Sequence, residues 1–226
     1  VTIADHFSTE ETDPYCLSAL ESAALLFDAP WRRFGVIGDS LSAGTGDPRA
    51  GYASLPWADR VADALRRVAP DLAYLNIAVD GATTEQTFDQ LDRMIDFAPD
   101  LLHLPCGAND IVRRTPDYAL IERHLRELYR RAAATGAQLT TFTLGRAYRV
   151  PAFADWTDRV RTVNAITRRL AGEDRAVVVD MWDHPVNDRA DLLSADRIHF
   201  AANGQAVLAA EAVKQLAHRL GQRVPS

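Results

Sequence analysis

The sequence predicts an α/β domain, a three-layer α/β/α arrangement in which a parallel sheet of about five strands carries helices on both faces. Two observations predict it. Between residues 34 and 220, short apolar runs alternate with helix-period segments five times, the pattern of repeated βα units. Ser40, Gly81, Asn109 and Asp110 then fall just after the first three apolar runs. Ligands of parallel sheets sit at that carboxyl edge, where strand order reverses, so the four residues point to one shared site. The chain has 226 residues, 47% hydrophobic and 25% charged, enough for one domain with a well-buried core.

Residues 1–13 are polar and acidic and read as loosely ordered. Residues 15–27 place Leu17, Leu20, Ala23, Ala24 and Phe27 at helical spacing, which predicts a short helix packed on the body. Pro30 and Trp31 lead into the first strand. Strands are predicted at 34–37, 72–78, 100–104, 138–142 and 176–180. Helices are predicted at 56–68, 84–95, 118–134, 156–170 and 202–220. Residues 1–32 form an N-terminal extension and 33–226 the main domain. Linkers, repeats and low-complexity tracts are missing from the pattern.

The net charge is -6 and no Lys/Arg block stands out, which argues against nucleic acid or an anionic membrane surface as the main partner. Basic residues are almost all arginine, with Lys214 the single lysine, and this reads as genome composition. No apolar run is long enough to cross a bilayer, and the first residues lack the basic and apolar regions of a secretory signal. The expected location is therefore cytoplasmic. Cys16 and Cys106 lie far apart and read as unpaired, buried thiols.

Residues 34–44 carry the main chemical signal. An apolar run stops at Gly38-Asp39-Ser40, and small residues that can open a helix follow. That turn lifts a serine hydroxyl to a helix N-terminus, where backbone N–H groups lack intrahelical partners. Ser40 can then be a nucleophile whose own N–H stabilises an oxyanion, or the turn can be an ordinary Ser/Asp cap. Near the other end stands Asp196-Arg197-Ile198-His199. In a turn, the carboxylate folds back onto Nδ1–H and leaves Nε2 free for a serine; the same four residues also suit a turn plus a cap. Asn109, in Cys106-Gly107-Ala108-Asn109-Asp110, can aim its amide at an oxyanion or cap the next turn. Gly81 can offer an unobstructed N–H at a strand-to-helix junction.

Other readings are weaker. Gly44-Thr45-Gly46 lacks the third glycine of a dinucleotide fingerprint, since position 49 is Arg49, and no P-loop lysine follows. A Gly-x-Ser-x-Gly elbow is missing as well. The six histidines, His6, His103, His124, His184, His199 and His218, show no metal-ligand spacing. His103 reads as a core or near-site residue, and His124 and His218 as solvated helix positions. His184 follows the fifth strand, could line the pocket, and is the rival to His199 as a base. Asp39 and Asp110 flank the candidates and either hold their turns or touch substrate. The segment 145–156 bears Arg146, Tyr148 and Arg149, either as a substrate-contacting flap with an arginine for an anionic group, or as a surface loop with its aromatics in the core.

Taken in order, Gly-Asp-Ser-Leu at 38–41, the lone Gly81, Gly-x-Asn-Asp at 107–110 and Asp-x-x-His at 196–199 resemble the SGNH (GDSL-type) hydrolase family over roughly residues 33–220. The resemblance implies a flavodoxin-like sheet over the main domain. It implies Ser40 as nucleophile, His199 as base and Asp196 as its orienting acid. The oxyanion hole would be the N–H groups of Ser40 and Gly81 with the Asn109 amide. The implied activity is cleavage of an O-acyl ester of a small molecule without a cofactor or metal. An acyltransferase using the same residues, a binding module with a decayed site, and a phosphate- or nucleotide-binding protein are the alternatives. Acyl length, alcohol and oligomeric state stay open.

Overall fold

The computed structural model describes residues 9–221, and the sheet is parallel throughout with strand order β2-β1-β3-β4-β5. The strands are β1 (Arg33–Val36), β2 (Ala73–Asn76), β3 (Leu101–His103), β4 (Gln138–Phe142) and β5 (Val177–Val179). The helices are α1 (Ala19–Leu25), α2 (Ser40–Ala43), α3 (Trp57–Val68), α4 (Thr87–Phe97), α5 (Tyr118–Ala133), α6 (Trp156–Glu173) and α7 (Ala202–Arg219). Helices α1, α3 and α7 pack together on one face, and α4, α5 and α6 on the other. Register is set by apolar residues buried on both faces: Phe34 pairs with Leu101 and Tyr74, and Leu102 with Gly35 and Leu139. Because strand order reverses at β1, with β2 on one side and β3 on the other, a crevice opens at the carboxyl ends of β1 and β3.

Expected and observed elements differ mainly at their ends. Strand β2 ends at Asn76, although the Ile77 and Val79 N–H groups still bond the Val36 and Gly38 carbonyls at 3.0 Å, so the chain runs beside β1 a little further. Helix α4 begins three residues late because Thr83 and Thr84 are used as turn residues, bonding Gln86 and Asp110. Helix α1 starts at Ala19 because Ser18 and Glu21 form a reciprocal capping box. Its expected packing face is corrected by the structure. Leu20 and Phe27 are 78% and 69% exposed, whereas Leu26 is fully buried. The short helix offers too little surface to bury every apolar side chain.

The extension is held by more than apolar contact. The expected loose order of residues 1–13 falls partly on 1–8, outside the described residues. Asp13 itself is buried and accepts hydrogen bonds from the Tyr15 N–H, the Tyr52 hydroxyl and the Arg189 guanidinium. Burial raises the Asp13 carboxyl, but those donors outweigh it and hold it below the usual carboxylate range. Cys106 is buried and Cys16 only half-buried, and both thiols are free.

Candidate active site

The turn after β1 is built around a glycine. Gly38 has φ +138, and a Cβ there would meet the Ser42 Oγ at 2.2 Å. Its N–H and C=O are both taken by the buried Gln90 side chain on α4, at 2.7 and 2.9 Å. Asp39 follows as the N-cap of α2, accepting from the N–H groups of Leu41 and Ser42. The capping reading of Asp39 and the lifted-hydroxyl reading of Ser40 are thus compatible, because the capping carboxylate lies one residue before the serine. Burial pushes the Asp39 carboxyl up to about 6; the capping N–H groups oppose this and the nearby Asp110 charge adds to it.

The Ser40 Oγ lies 2.7 Å from the His199 Nε2, and the His199 Nδ1 lies 2.6 Å from the Asp196 Oδ2. The other Asp196 oxygen accepts the N–H groups of Ile198 and His199 at 2.8 and 3.0 Å, so the carboxylate folds the short turn that carries its own histidine. Desolvation raises the Asp196 carboxyl, but the imidazole and the two backbone donors win and leave it below its ordinary value. Hydroxyl, imidazole and carboxylate therefore form one hydrogen-bonded line. In such a line the carboxylate sets the imidazole tautomer and the free Nε2 can take the serine proton.

Gly81 and Asn109 line the same cleft, together with Leu41, Val112, Tyr148, Val150 and Ile198, around a volume of about 220 Å³. Gly81 adopts φ +79, a conformation suited to glycine. Among the described residues, neither the Ser40 nor the Gly81 N–H has an acceptor. The Asn109 Nδ2 donates to the Ala82 carbonyl at 3.1 Å and stands 3.5 Å from an Asp39 oxygen. That second contact is long and the weaker of the two.

Several candidates sit elsewhere. Asp110 does not line the cleft; its carboxylate accepts the Thr84 N–H and hydroxyl at 2.9 and 2.8 Å, tying the Asn109 turn to the Gly81 loop. Burial raises its carboxyl against those two donors. His184 is turned away, its Nδ1 accepting from the Val186 N–H and its ring against Tyr15. Arg146 pairs with Asp188, and Arg149 is exposed. His124, expected to be solvated, reaches the Thr84 hydroxyl at 3.2 Å. His103 is buried between Trp57 and Phe142, and burial drives its basicity down to about 3. The 145–156 segment combines both of its readings. Tyr148 lines the cleft, while the buried Trp156 donates its indole N–H to the Tyr148 carbonyl at 2.8 Å.

Sequence reasoning missed Gln90 and the pairing of Thr84 with Asp110. The available signal was a glutamine on the apolar face of α4 beside Leu91, a polar residue where burial demands partners.

The fold and these side chains define a three-layer α/β protein with a Ser–His–Asp line at the carboxyl edge of its parallel sheet. The chain belongs to the GDSL-like lipase/acylhydrolase family, which matches residues 36–207. A curated relative, an arylesterase of Vibrio mimicus, is 33% identical over 103 residues. That match covers 45% of this chain and 46% of the relative, about half the length of each. A lipase/acylhydrolase from Enterococcus faecalis superposes with a TM-score of 0.66 at 21% identity, covering 83% of this chain and 96% of that one. The psychrotrophic esterase EstA from Pseudoalteromonas sp., in a structure inhibited by monoethylphosphonate, gives a TM-score of 0.66 at 17% identity over 84% of this chain and 100% of that one. At these identities the structural likeness is one of fold.

Proposed function

We propose that the protein is an esterase that hydrolyses small-molecule O-acyl esters through an acyl-enzyme on Ser40. The observation that carries the reading is the 2.7 and 2.6 Å line from the Ser40 hydroxyl through His199 to Asp196. In the proposed reaction, the His199 Nε2 takes the hydroxyl proton as Ser40 Oγ bonds to the ester carbonyl carbon. The resulting oxyanion accepts from the Ser40 and Gly81 N–H groups and the Asn109 amide. Collapse breaks the carbonyl-carbon–alkoxy-oxygen bond, and His199 gives its proton to the departing alcohol. Water then attacks the acyl-serine with the same base, releasing the acid and restoring the hydroxyl. Asp196 keeps the imidazole in the tautomer that leaves Nε2 unprotonated at the start of each half-reaction.

Family membership and the arylesterase relative support ester chemistry of this kind. Apolar walls from Leu41, Val112, Val150 and Ile198, beside the carboxylates of Asp39 and Asp80, support an uncharged acyl portion, and the modest volume supports a short one. The test pairs a phosphonate probe with a series of p-nitrophenyl esters of increasing acyl length. The expected result is stoichiometric labelling of Ser40, located by peptide mass spectrometry, with fastest turnover on short acyl chains. Full esterase activity in a folded Ser40→Ala variant would overturn the mechanism. A preference for long acyl chains would overturn the short-chain assignment alone.

A further inference from the structure

The segment that leaves the nucleophile helix also grips the loop that carries the base. Gly44 leaves α2 with φ +77, and the Thr45 N–H returns to the Ser40 carbonyl at 3.0 Å. The Thr45 hydroxyl then donates to Asp80 at 2.8 Å, beside Gly81. Gly46 lies flat against the opposite loop, where a Cβ would come within 1.9 Å of the Phe200 carbonyl oxygen. Asp47 makes two bonds to that loop and one to the start of α7, which follows it. Its N–H donates to the Ser194 Oγ at 2.8 Å, its carboxylate Oδ2 accepts the Ala195 N–H at 2.8 Å, and its carbonyl accepts the Ala202 N–H at 2.9 Å.

The gripped loop is a narrow hairpin with little structure of its own. Leu193 and Phe200 form a single antiparallel bridge, and the Ser194 N–H bonds to the His199 carbonyl at 2.8 Å. Arg197, between Asp196 and His199, holds a left-handed φ of +60. These internal bonds shape the Asp196–His199 turn. They do not set its distance from Ser40, which lies on a different element.

We infer that Asp47 is a positioning residue: through its contacts with Ser194, Ala195 and Ala202 it sets the separation of the His199 ring from the Ser40 hydroxyl. The inference rests on the reading of Ser40, His199 and Asp196 as the reacting line. The serine loop thereby carries the ruler for its own base, and Thr45 ties the same segment to the Gly81 loop. Side-chain truncation removes one of the three Asp47 bonds, the one at the hairpin tip, and leaves its two backbone bonds in place. The loop stays folded but its tip is less firmly held, and small misplacement of a reacting group costs about 10²-fold in rate.

The test compares Asp47→Ala and Asp47→Asn with His199→Ala on a p-nitrophenyl ester. For Asp47→Ala the expected kcat falls about 10- to 100-fold, while KM stays within about twofold, as for a group acting only on the chemical step. The asparagine variant keeps an acceptor oxygen and should recover kcat to within about threefold of the parent. The low-field proton of the His199–Asp196 hydrogen bond should persist in both Asp47 variants by proton NMR, showing the hairpin intact. An unchanged kcat in Asp47→Ala, an asparagine variant as slow as the alanine one, or loss of the low-field proton would each overturn the positioning role. Full activity in His199→Ala would instead overturn the underlying reading, so the two failures are distinguishable.

Discussion

The two halves of the site are held by different physics. The β1–α2 turn grows out of an interior strand of the sheet. Val36 and Ile37 are fully buried, Gly38 is clamped by Gln90, and Asp39 caps the helix that begins with Ser40. The hairpin at residues 192–201 instead closes through one antiparallel bridge and a few backbone bonds, and the Asp196 side chain at its tip is 46% exposed. The serine is located by covalent continuity with a buried strand, so its position is inherited from the core. The imidazole is located by a few hydrogen bonds to distant residues, so its position is a sum of weak long-range terms. A reactive pair can be assembled this way because only one partner needs a rigid mount, provided the other is braced against it.

Four perturbations would break or sharpen that contrast. The largest concerns the rigid half. Ser40→Ala should lower kcat at least about 10⁴-fold, measured by ester hydrolysis, with an unchanged thermal midpoint. A hydroxyl at a strand end supports little of the core, so a large fall in melting temperature would show that the turn is less rigid than described.

The second concerns the braced half. Arg189→Met leaves the Asp13 carboxylate buried without its cation, since the Asp13 side chain has no exposure. Urea unfolding should show a loss of about 3–5 kcal/mol. Because Arg189 lies just ahead of the hairpin, a loss below 1 kcal/mol would mean that this side of the molecule does not depend on long-range charge pairing.

The third probes the shared rim. Asn109→Ala should lower kcat by about 10²–10³-fold with KM little changed, as for a donor that acts on the oxyanion. A rise in KM alone would assign the amide to ground-state binding instead.

The smallest effect is a pH dependence of the rigid turn. Native Asp39 holds its proton up to about pH 6, whereas the unfolded chain releases it near the ordinary aspartate value of 3.8. The folded state therefore binds more protons in that window, and this group's stabilising contribution is present below about pH 4 and lost as pH rises through 6. Asp39→Asn keeps the capping oxygen and removes the ionisation. It should be more stable than the parent by about 1–3 kcal/mol at pH 7.5 and nearly equal to it at pH 4, by urea unfolding at both values. A constant difference at the two pH values would place the burial cost of Asp39 elsewhere.

The same contrast explains what could be read in advance. All five strands and the five large helices of the main domain were legible, because apolar periodicity reports which face of a segment is buried. Ser40, Gly81 and Asn109 were legible as rim residues because each lies in the segment that leaves the carboxyl end of a strand. Asp110 and His184 were not separable from the rim by position. One turns inward to satisfy the Thr84 turn, the other toward Tyr15, and a strand-end location does not say which way a side chain points. Leu20 and Phe27 misled in the opposite sense: helical spacing marked them as a packing face, and the body offered them no surface.

The chain's own order of residues determined the layered architecture and the carboxyl-edge location of the rim with its Ser40, Gly81 and Asn109, because these depend on local periodicity and on which residues follow each strand. Only the folded molecule decided which histidine meets Ser40, where the arginines go and what steadies the hairpin. Those outcomes are contacts such as Asp47 with Ala195 and Asp13 with Arg189, made between residues far apart along the chain. Their pairing has no period or spacing to betray it, since it is set by the three-dimensional closure of the core.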